Sequence, residues 1–240
     1  MKSYQYTKSM INWYDRLMDS DLFDYRSPAK AISSIMGKRE RILELGIGTG
    51  LLAEKLVEKG FNVTGVDCSR EMLLHAKERL ANRVGLFEQD VLELDIPGQY
   101  EAAVSYGGMW YCTRKGMRVF LESHLLEQEE NLEGLTQVAS HLVPKGLLLI
   151  GIRWPHMDIS RFPLKRFPLK NRATCSIRTH HQGNIIHKSY YVKLNGKIAA
   201  YQHLILRRFT KKEERQLMHK AGFKERGPDR TRHFYVWEKR

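Results

Sequence analysis

The chain of 240 residues has few cysteines and no long apolar run. No segment approaches the roughly 18 to 20 consecutive apolar residues that a membrane-spanning helix needs. The first thirty residues lack the apolar stretch and the small-residue cleavage site of a signal peptide. Cys68, Cys112 and Cys175 are an odd number without metal-ligand spacing, so no disulfide framework is expected. These absences predict a cytoplasmic protein that makes no membrane contact.

The positive charge is distributed unevenly along the chain. Residues 1–150 hold 18 Lys and Arg against 21 Asp and Glu, a formal charge of −3, whereas residues 151–240 hold 22 against 6, a formal charge of +16. Exposed Lys and Arg that keep the protein soluble explain such an excess in part. The contrast also fits a positive surface that attracts an anionic partner or substrate. Both interpretations stay open at this stage.

Apolar runs alternate with helical patterns from residue 41 onward, which is typical of βαβ units and a parallel sheet. The hydroxyl of Ser69 is placed to cap the second helix of this region. The expected strands are Arg41–Leu45, Asn62–Val66, Val84–Glu88, Ala102–Ser105 and Leu147–Ile152, and the expected helices are Leu51–Lys59 and Arg70–Leu80.

After residue 155 the pattern changes to three predicted antiparallel strands, Ala173–His181, Asn184–Leu194 and Lys197–Arg208. The last two are joined by Asn195-Gly196, a strong hairpin signal because both residue types tolerate positive φ. A helix from Thr210 to Lys220 and a strand His233–Lys239 follow. We therefore expect an α/β core with an antiparallel flap inserted at about residues 155–209.

A glycine-rich segment, Glu44–Gly50 (ELGIGTG), lies where the first strand turns into the first helix. Glycines permit the tight turn and the close approach of a ligand. The third glycine of a nicotinamide or flavin fingerprint would fall at Leu51, so that interpretation fails. Glu44 followed by Gly46, Gly48 and Gly50 instead suits a ligand without pyrophosphate and with a cationic amino-acid tail.

Two acidic residues at later strand ends complete the predicted cofactor site. Asp67 follows Gly46 by 21 residues, close to the spacing at which a carboxylate reaches a ribose diol. Asp90 can accept from an adenine amino group while Val91 packs on the ring. Met72 is placed to cover the other face of the ring, although core packing is the commoner role of such a methionine.

The successive segments Glu44–Gly50, Val63–Ser69, Gln89–Val91 and Leu142–Leu149 resemble the motifs of class I S-adenosylmethionine (SAM)-dependent methyltransferases. The resemblance implies a Rossmann-like, seven-stranded, mostly parallel sheet with helices on both faces and an antiparallel final strand. The flap after the fifth strand resembles that of amino-sugar and glycine N-methyltransferases. Trp13-Tyr14-Asp15 is similar to their lid segment. The implied cofactor is SAM, with S-adenosyl-L-homocysteine as the product.

The chain then divides into a helical lid (1–38), a SAM-binding core (39–154), the flap (155–209) and a segment that completes the core (210–240). The expected cofactor residues are Tyr14, Glu44, Gly46, Gly48, Gly50, Asp67, Cys68, Met72, Asp90, Val91 and Ser105. The expected acceptor residues, after the fourth and fifth strands, are Tyr106, Trp110, Tyr111, Arg153 and Trp154. Aromatic faces there suit a sulfonium or an amine, and ordinary packing beneath the flap is an equal alternative.

We expect methyl transfer to N or O of a small, anionic metabolite, without a bound metal. The sequence singles out no catalytic base, although a flap histidine such as His180 or His187, which face each other in the predicted hairpin, is a candidate. A nucleic-acid methyltransferase is the main alternative, because the basic half resembles an RNA-binding footprint. Against it, the segment after the fourth strand differs from the Asn/Asp-Pro-Pro-Tyr type, and there is no RNA-binding module. A SAM-binding protein that does not methylate, and a homodimer, are left open.

Overall fold

A computed structural model describes residues 6–18, 24–152, 164–169 and 173–240. The helices are α1 (Lys8–Met18), α2 (Arg26–Met36), α3 (Leu51–Val57), α4 (Arg70–Leu80), α5 (Gln128–Ser140) and α6 (Lys211–Lys220). Strands of the main sheet are β1 (Arg41–Leu45), β2 (Asn62–Asp67), β3 (Gly85–Glu88), β4 (Tyr100–Ser105), β7 (Leu142–Gly151), β12 (Phe223–Pro228) and β13 (Phe234–Lys239). Strands of a second sheet are β5 (Trp110–Lys115), β6 (Arg118–Ser123), β8 (Leu164–Leu169), β9 (Ala173–Gln182), β10 (Ile185–Leu194) and β11 (Lys197–Arg208).

The main sheet has the order β12-β13-β7-β4-β1-β2-β3. The five neighbouring strands β7, β4, β1, β2 and β3 run parallel. Strand β13 pairs antiparallel with both β7 and β12. One apolar core packs α2, α3 and α4 against one face of the sheet, and a second core packs α5 and α6 against the other. The predicted Rossmann-like sheet with helices on both faces is thus confirmed, including the antiparallel final strand.

Capping side chains fix the starts of two helices, α4 and α6, at the positions that the sequence predicted. Ser69 accepts from the backbone N–H of Met72 and caps α4. Thr210 and Glu213 form a reciprocal capping box at the start of α6, so two backbone N–H groups at that end are satisfied. No described helix is long and apolar enough to cross a membrane.

The second sheet, called the flap sheet below, has the order β5-β6-β11-β10-β9-β8 and is antiparallel throughout. The three predicted flap strands are present as β9, β10 and β11. The hairpin of β5 and β6 was not predicted, and it lies between β4 and α5, outside residues 155–209. It joins the flap sheet through the pairing of Glu122 with Arg208, residues that are 86 positions apart. A pairing at that distance leaves no local signal in the sequence.

Helix α1 packs on the flap sheet and is bonded to α4 and to the loop after β1. Met10 packs with Cys175, Ile177 and Val192 on one face of the flap sheet. At the start of the helix, Thr7 donates its backbone N–H to the side-chain oxygen of Gln202. Helix α1 is therefore anchored to β11 at one end, which positions its later residues over the carboxyl ends of the main-sheet strands.

Candidate active site

A cleft opens at the carboxyl ends of β1, β2, β3 and β4, where ligands bind in open α/β sheets. Its empty volume is about 710 Å³ with the open mouth included. The lining residues are Tyr6, Tyr14, Leu45, Gly46, Gly48, Val66, Asp67, Cys68, Ser69, Met72, Gln89, Asp90, Val91, Gly107, Gly108, Met109 and His124.

The glycine loop after β1 forms one wall of the cleft. Gly46 has φ +69° and Gly48 has φ +56°, a left-handed backbone that residues with a Cβ rarely adopt. A Cβ on Gly46 would come within 2.8 Å of the Cα of Gly108, so the loops after β1 and β4 pack backbone to backbone. Gly50 is the N-cap of α3, where an added Cβ would meet Leu80, and it does not line the cleft. The loop therefore needs Gly46 and Gly48 for the cleft and Gly50 for helix packing.

Asp67 joins the glycine loop to the end of β2. Its Oδ2 accepts from the N–H of Gly48 at 2.9 Å, and its Oδ1 accepts from the N–H of Ser69 at 2.9 Å. Burial raises the pKa of Asp67, although the N–H groups of Ser69, Gly48 and Cys68 oppose this rise. The carboxylate thus fixes the loop and still lines the cleft, where its remaining lone pairs can accept from hydroxyls.

Glu44, at the end of β1, is 4% exposed, and its Oε2 has no hydrogen-bond partner among the described residues. Burial, and secondarily the charge of Asp67, raise the pKa of Glu44 to about 8. A buried carboxyl with an unmatched oxygen becomes ionised readily only when a cation or donor arrives. Glu44 is not itself a lining residue, but the next residue, Leu45, is, so a cationic group bound at this end of the cleft would supply that charge. The residues therefore fit the cationic cofactor implied by the sequence resemblance.

The adenine end of the predicted site is also assembled. Asp90 accepts from the N–H of Leu92 at 3.0 Å through Oδ1 and caps a short 3₁₀ turn, Val91–Glu93. Cys68, Met72, Asp90 and Val91 all line the cleft. Met72 and Val91 are buried and apolar, which suits the two faces of a purine ring. Their use for binding stays a prediction.

The predicted lid segment lies over the glycine loop. Tyr14 lines the cleft, and its hydroxyl lies 3.8 Å from where a Cβ on Gly48 would stand. The neighbouring Asp15 accepts from the hydroxyl of Thr49 at 2.5 Å and from Nη2 of Arg79 at 2.6 Å. These bonds hold α1 against the loop and α4, so the cofactor end of the cleft is roofed.

Several expected site residues lie elsewhere. Ser105 is fully buried, and its hydroxyl exchanges hydrogen bonds with the backbone of Trp110. Trp110 itself is in the core and donates to Asn131, and Tyr111 is buried against Lys188. Tyr106 packs against Tyr25 and Phe234 instead of lining the cleft.

These four positions correct the sequence-based site. The reason is that Ser105 still belongs to β4, and that Trp110 and Tyr111 begin β5 with both side chains buried. Arg153 and Trp154 lie outside the described residues.

The cleft lining includes a residue that the sequence did not single out, His124. Its side of the cleft, where the acceptor is predicted to bind, is called the acceptor end below. His124 follows β6 and donates its backbone N–H to the carbonyl of Met109 at 3.1 Å, so two lining residues are adjacent. The predicted pairing of His180 with His187 is present, but neither lines the cleft. Only recognition of the β5–β6 hairpin could have pointed to His124.

Comparison with known proteins agrees with this geometry. Residues 42–146 match the model of the methyltransferase domain family. A Bacillus subtilis (strain 168) protein named putative methyltransferase YqeM is 27% identical over 88% of this chain and 83% of its own length. A protein of Geobacillus sp. (strain WCH70), named in the same way, is 29% identical over 60% of this chain and 56% of its own length.

Solved structures share the fold over nearly the whole chain. The SAM-bound amino pentose methyltransferase CalS10 from Micromonospora echinaspora has a TM-score of 0.70 at 20% identity, covering 98% of both chains. Streptomyces venezuelae DesVI has a TM-score of 0.70 at 18% identity, covering 98% and 99%. The sugar N-methyltransferase KedS8 from Streptoalloteichus has a TM-score of 0.70 at 16% identity, covering 98% and 94%.

Proposed function

Because this chain is a class I SAM-dependent methyltransferase, we propose that it methylates an amine nitrogen of a small metabolite that also carries an anionic group. The observation that carries the proposal is the chemistry of the cleft. Its described lining holds Asp67, Asp90 and His124 together with two tyrosines, and neither Lys nor Arg. The two carboxylates belong to the predicted ribose and adenine ends, and tyrosine faces attract a cationic sulfonium or a cationic amine. A bare anionic nucleophile would find neither Lys nor Arg as a counter-charge among the described lining residues.

Two structural neighbours have names that describe the same acceptor class. Their names describe an amino pentose methyltransferase and a sugar N-methyltransferase, and both share the fold over almost the entire chain. At 16–20% identity this similarity supports the fold, so the assignment of the acceptor depends on the chemistry of the cleft.

When bound, SAM supplies an electrophilic methyl group on a sulfonium. The protein has to hold a nucleophile in line at roughly 3 Å and keep water out. Helix α1 roofs the cleft through Tyr14 and the Asp15 contacts, which limits the access of water. An amine must lose one proton to become nucleophilic, and His124 is an imidazole at the acceptor end that can take it.

The anionic part of the acceptor is supported by the charge of the flap region. The flap, residues 155–209, holds 11 Lys and Arg against one acidic residue, Asp158. Lys188 and Arg208 are paired with Glu122, and Arg207 lies 3.9 Å from Glu213. Because the described cleft wall lacks such residues, this excess acts outside the cleft, where it would attract an anionic group attached to the amine.

A nucleic-acid acceptor is the second candidate, and one surface favours it. On the face of the flap sheet opposite α1, the half-buried Tyr191 and the exposed Tyr201 lie with ring centroids 5.0 Å apart, and the exposed Arg178 lies diagonally across from Tyr191 on β9. Exposed aromatics and cations on a sheet are the groups that stack on and neutralise single-stranded RNA.

Methyl-labelled SAM distinguishes these candidates. The purified protein is incubated with small phosphorylated amines, with the matching alcohols that lack the amine, and with single-stranded RNA. We expect the amines to become labelled and the matching alcohols to stay unlabelled. Label only in alcohols or only in RNA would overturn the amine assignment.

The variant His124→Asn tests the proton acceptor. Its kcat is expected to fall roughly tenfold to a hundredfold with unchanged SAM affinity. His187→Asn, a histidine outside the cleft, is the matched control and should keep wild-type kcat.

A further inference from the structure

Behind the acceptor end of the cleft lies a buried charged network within the flap sheet. Lys188 on β10 is 3% exposed, and its Nζ donates to the hydroxyl of Tyr111 at 2.7 Å and to Oε2 of Glu122 at 2.9 Å. Glu122 is fully buried and also accepts from Thr113 at 2.7 Å and from Arg208 at 2.6 Å. The network therefore connects β5, β6, β10 and β11.

Stability alone does not explain this network. A buried ion pair costs desolvation free energy, and well-packed apolar residues of similar volume often serve stability equally well or better. Burial by itself would raise the pKa of Glu122, but the attraction of Lys188 and Arg208 outweighs it and lowers the pKa to about 2. Arg208 alone already gives Glu122 a partner at 2.6 Å. Lys188 is therefore not needed to neutralise Glu122, and its burial calls for another explanation.

Lys188 reaches the cleft through one aromatic ring. The ring of Tyr111 meets the imidazole of His124 edge-on, with centroids 6.0 Å apart and an interplanar angle of 62°. His124 lines the cleft, whereas Tyr111 is 1% exposed and does not. Tyr111 is thus the side chain between the charged network and the residue at the acceptor end.

We infer that Lys188 is a positioning residue, which holds the Tyr111 hydroxyl and so fixes the Tyr111 ring as a support for the imidazole of His124. The inference rests on the proposed function, since it assigns the network to the proton acceptor of that same site. A ring pinned at its hydroxyl by a charge-assisted hydrogen bond has little freedom to rotate or shift. An imidazole resting on that ring keeps one orientation toward the acceptor, and small losses of orientation lower catalytic rates strongly.

The test compares Lys188→Met and Tyr111→Phe with the control Thr113→Val. Thr113→Val removes a hydrogen bond to the same Glu122 but leaves the contact between Lys188 and Tyr111 intact. We expect kcat to fall about tenfold in Lys188→Met and in Tyr111→Phe, with SAM affinity unchanged and little change in the acceptor KM. The double variant should lose no more than either single variant, because both changes break the same contact. Thr113→Val should keep its kcat.

A second readout needs no acceptor. In ¹⁵N-histidine protein with SAM bound, the imidazole resonance that disappears in His124→Asn belongs to His124. This resonance should shift in Lys188→Met and in Tyr111→Phe and stay in place in Thr113→Val. Equal kcat losses in all three variants, or an unmoved His124 resonance, would overturn the positioning role. If Lys188→Met does not fold, Tyr111→Phe, which keeps the ring, gives the same decision.

Failure of the proposed function is recognised separately. If the wild-type protein methylates no amine, the acceptor assignment is wrong, and the imidazole resonance still decides whether Lys188 positions His124.

Discussion

Asp15 of α1 and Arg79 of α4 form an ion pair across the glycine loop, with Oδ2 and Nη2 2.6 Å apart. The same guanidinium donates to the backbone carbonyl of Thr49 at 2.9 Å, and Asp15 accepts from the hydroxyl of that residue. One helix of the lid is thereby tied to both the loop and the helix that border the cofactor end of the cleft. Opening this end requires these bonds to break.

We therefore expect Asp15→Asn to speed cofactor exchange. Asp15 is 40% exposed, so solvent screens the pair and its loss costs on the order of 1 kcal/mol. That corresponds to a dissociation rate of S-adenosyl-L-homocysteine roughly fivefold higher, measured by stopped-flow fluorescence. Glu71→Gln removes the exposed pair between Lys8 and Glu71, which joins the same two helices, and should leave the rate unchanged. Equal dissociation rates in the two variants would show that Asp15 does not slow the opening of the cofactor end.

Gly48→Val should abolish SAM binding while the protein stays folded. The left-handed backbone at φ +56° costs a β-branched residue about 1–3 kcal/mol, and the added side chain projects into the cleft toward Tyr14. Gly60→Val is the matched control, because Gly60 also has positive φ, +87°, with nothing within 4 Å of an added Cβ. Both variants should lose comparable thermal stability, and only Gly60→Val should bind SAM in calorimetry. Full SAM affinity in Gly48→Val would show that the loop does not contact the cofactor.

SAM binding should release a proton through Glu44. The pKa of Glu44 is raised to about 8, so at pH 7 this carboxyl is mostly protonated before a cation arrives. A bound cation favours the ionised form, which lowers the pKa and expels up to one proton. Affinity should consequently weaken as the pH falls from 8 to 6.

Calorimetry at pH 7 in two buffers of different ionisation enthalpy measures this proton directly. Glu44→Gln cannot ionise and should show no release from this position. Equal release in wild type and Glu44→Gln would mean that Glu44 does not meet the cationic part of SAM.

The charge of the flap region should act on the acceptor and not on SAM. The Debye length falls from about 10 Å at 0.1 M salt to about 3 Å at 1 M, so long-range attraction fades across that range. The acceptor kcat/KM should drop several-fold, with SAM affinity little changed. Arg178→Glu, on an exposed position of β9, should reproduce part of the loss at low salt, and Arg230→Glu, exposed between β12 and β13, should not. A salt-independent kcat/KM would assign these charges to ordinary solvated surface.

The glycine-loop side of the cleft could be predicted from the sequence because its signals are local. Glu44, Gly46 and Gly48 follow one another at a strand end, and the register of parallel strands brings Asp67 and Asp90 to the same edge of the sheet. The turn at Asn195-Gly196 and the cap at Ser69 depend likewise on residues within a few positions of each other. Short-range backbone preferences and strand order are enough to place all of these.

The acceptor half depended on pairings that no local pattern encodes. Residues after β4 were expected to line the cleft, and Trp110 is instead in the core, because β5 and β6 pair with each other and then with β11. That pairing brings Lys188 to Tyr111, 77 positions away, and puts His124 beside Met109. Which face of β5 is buried, and which side chain reaches the cleft, is decided by packing between distant segments. The sequence alone therefore determined the main sheet and the glycine loop, and only the tertiary structure decided which other residues line the cleft.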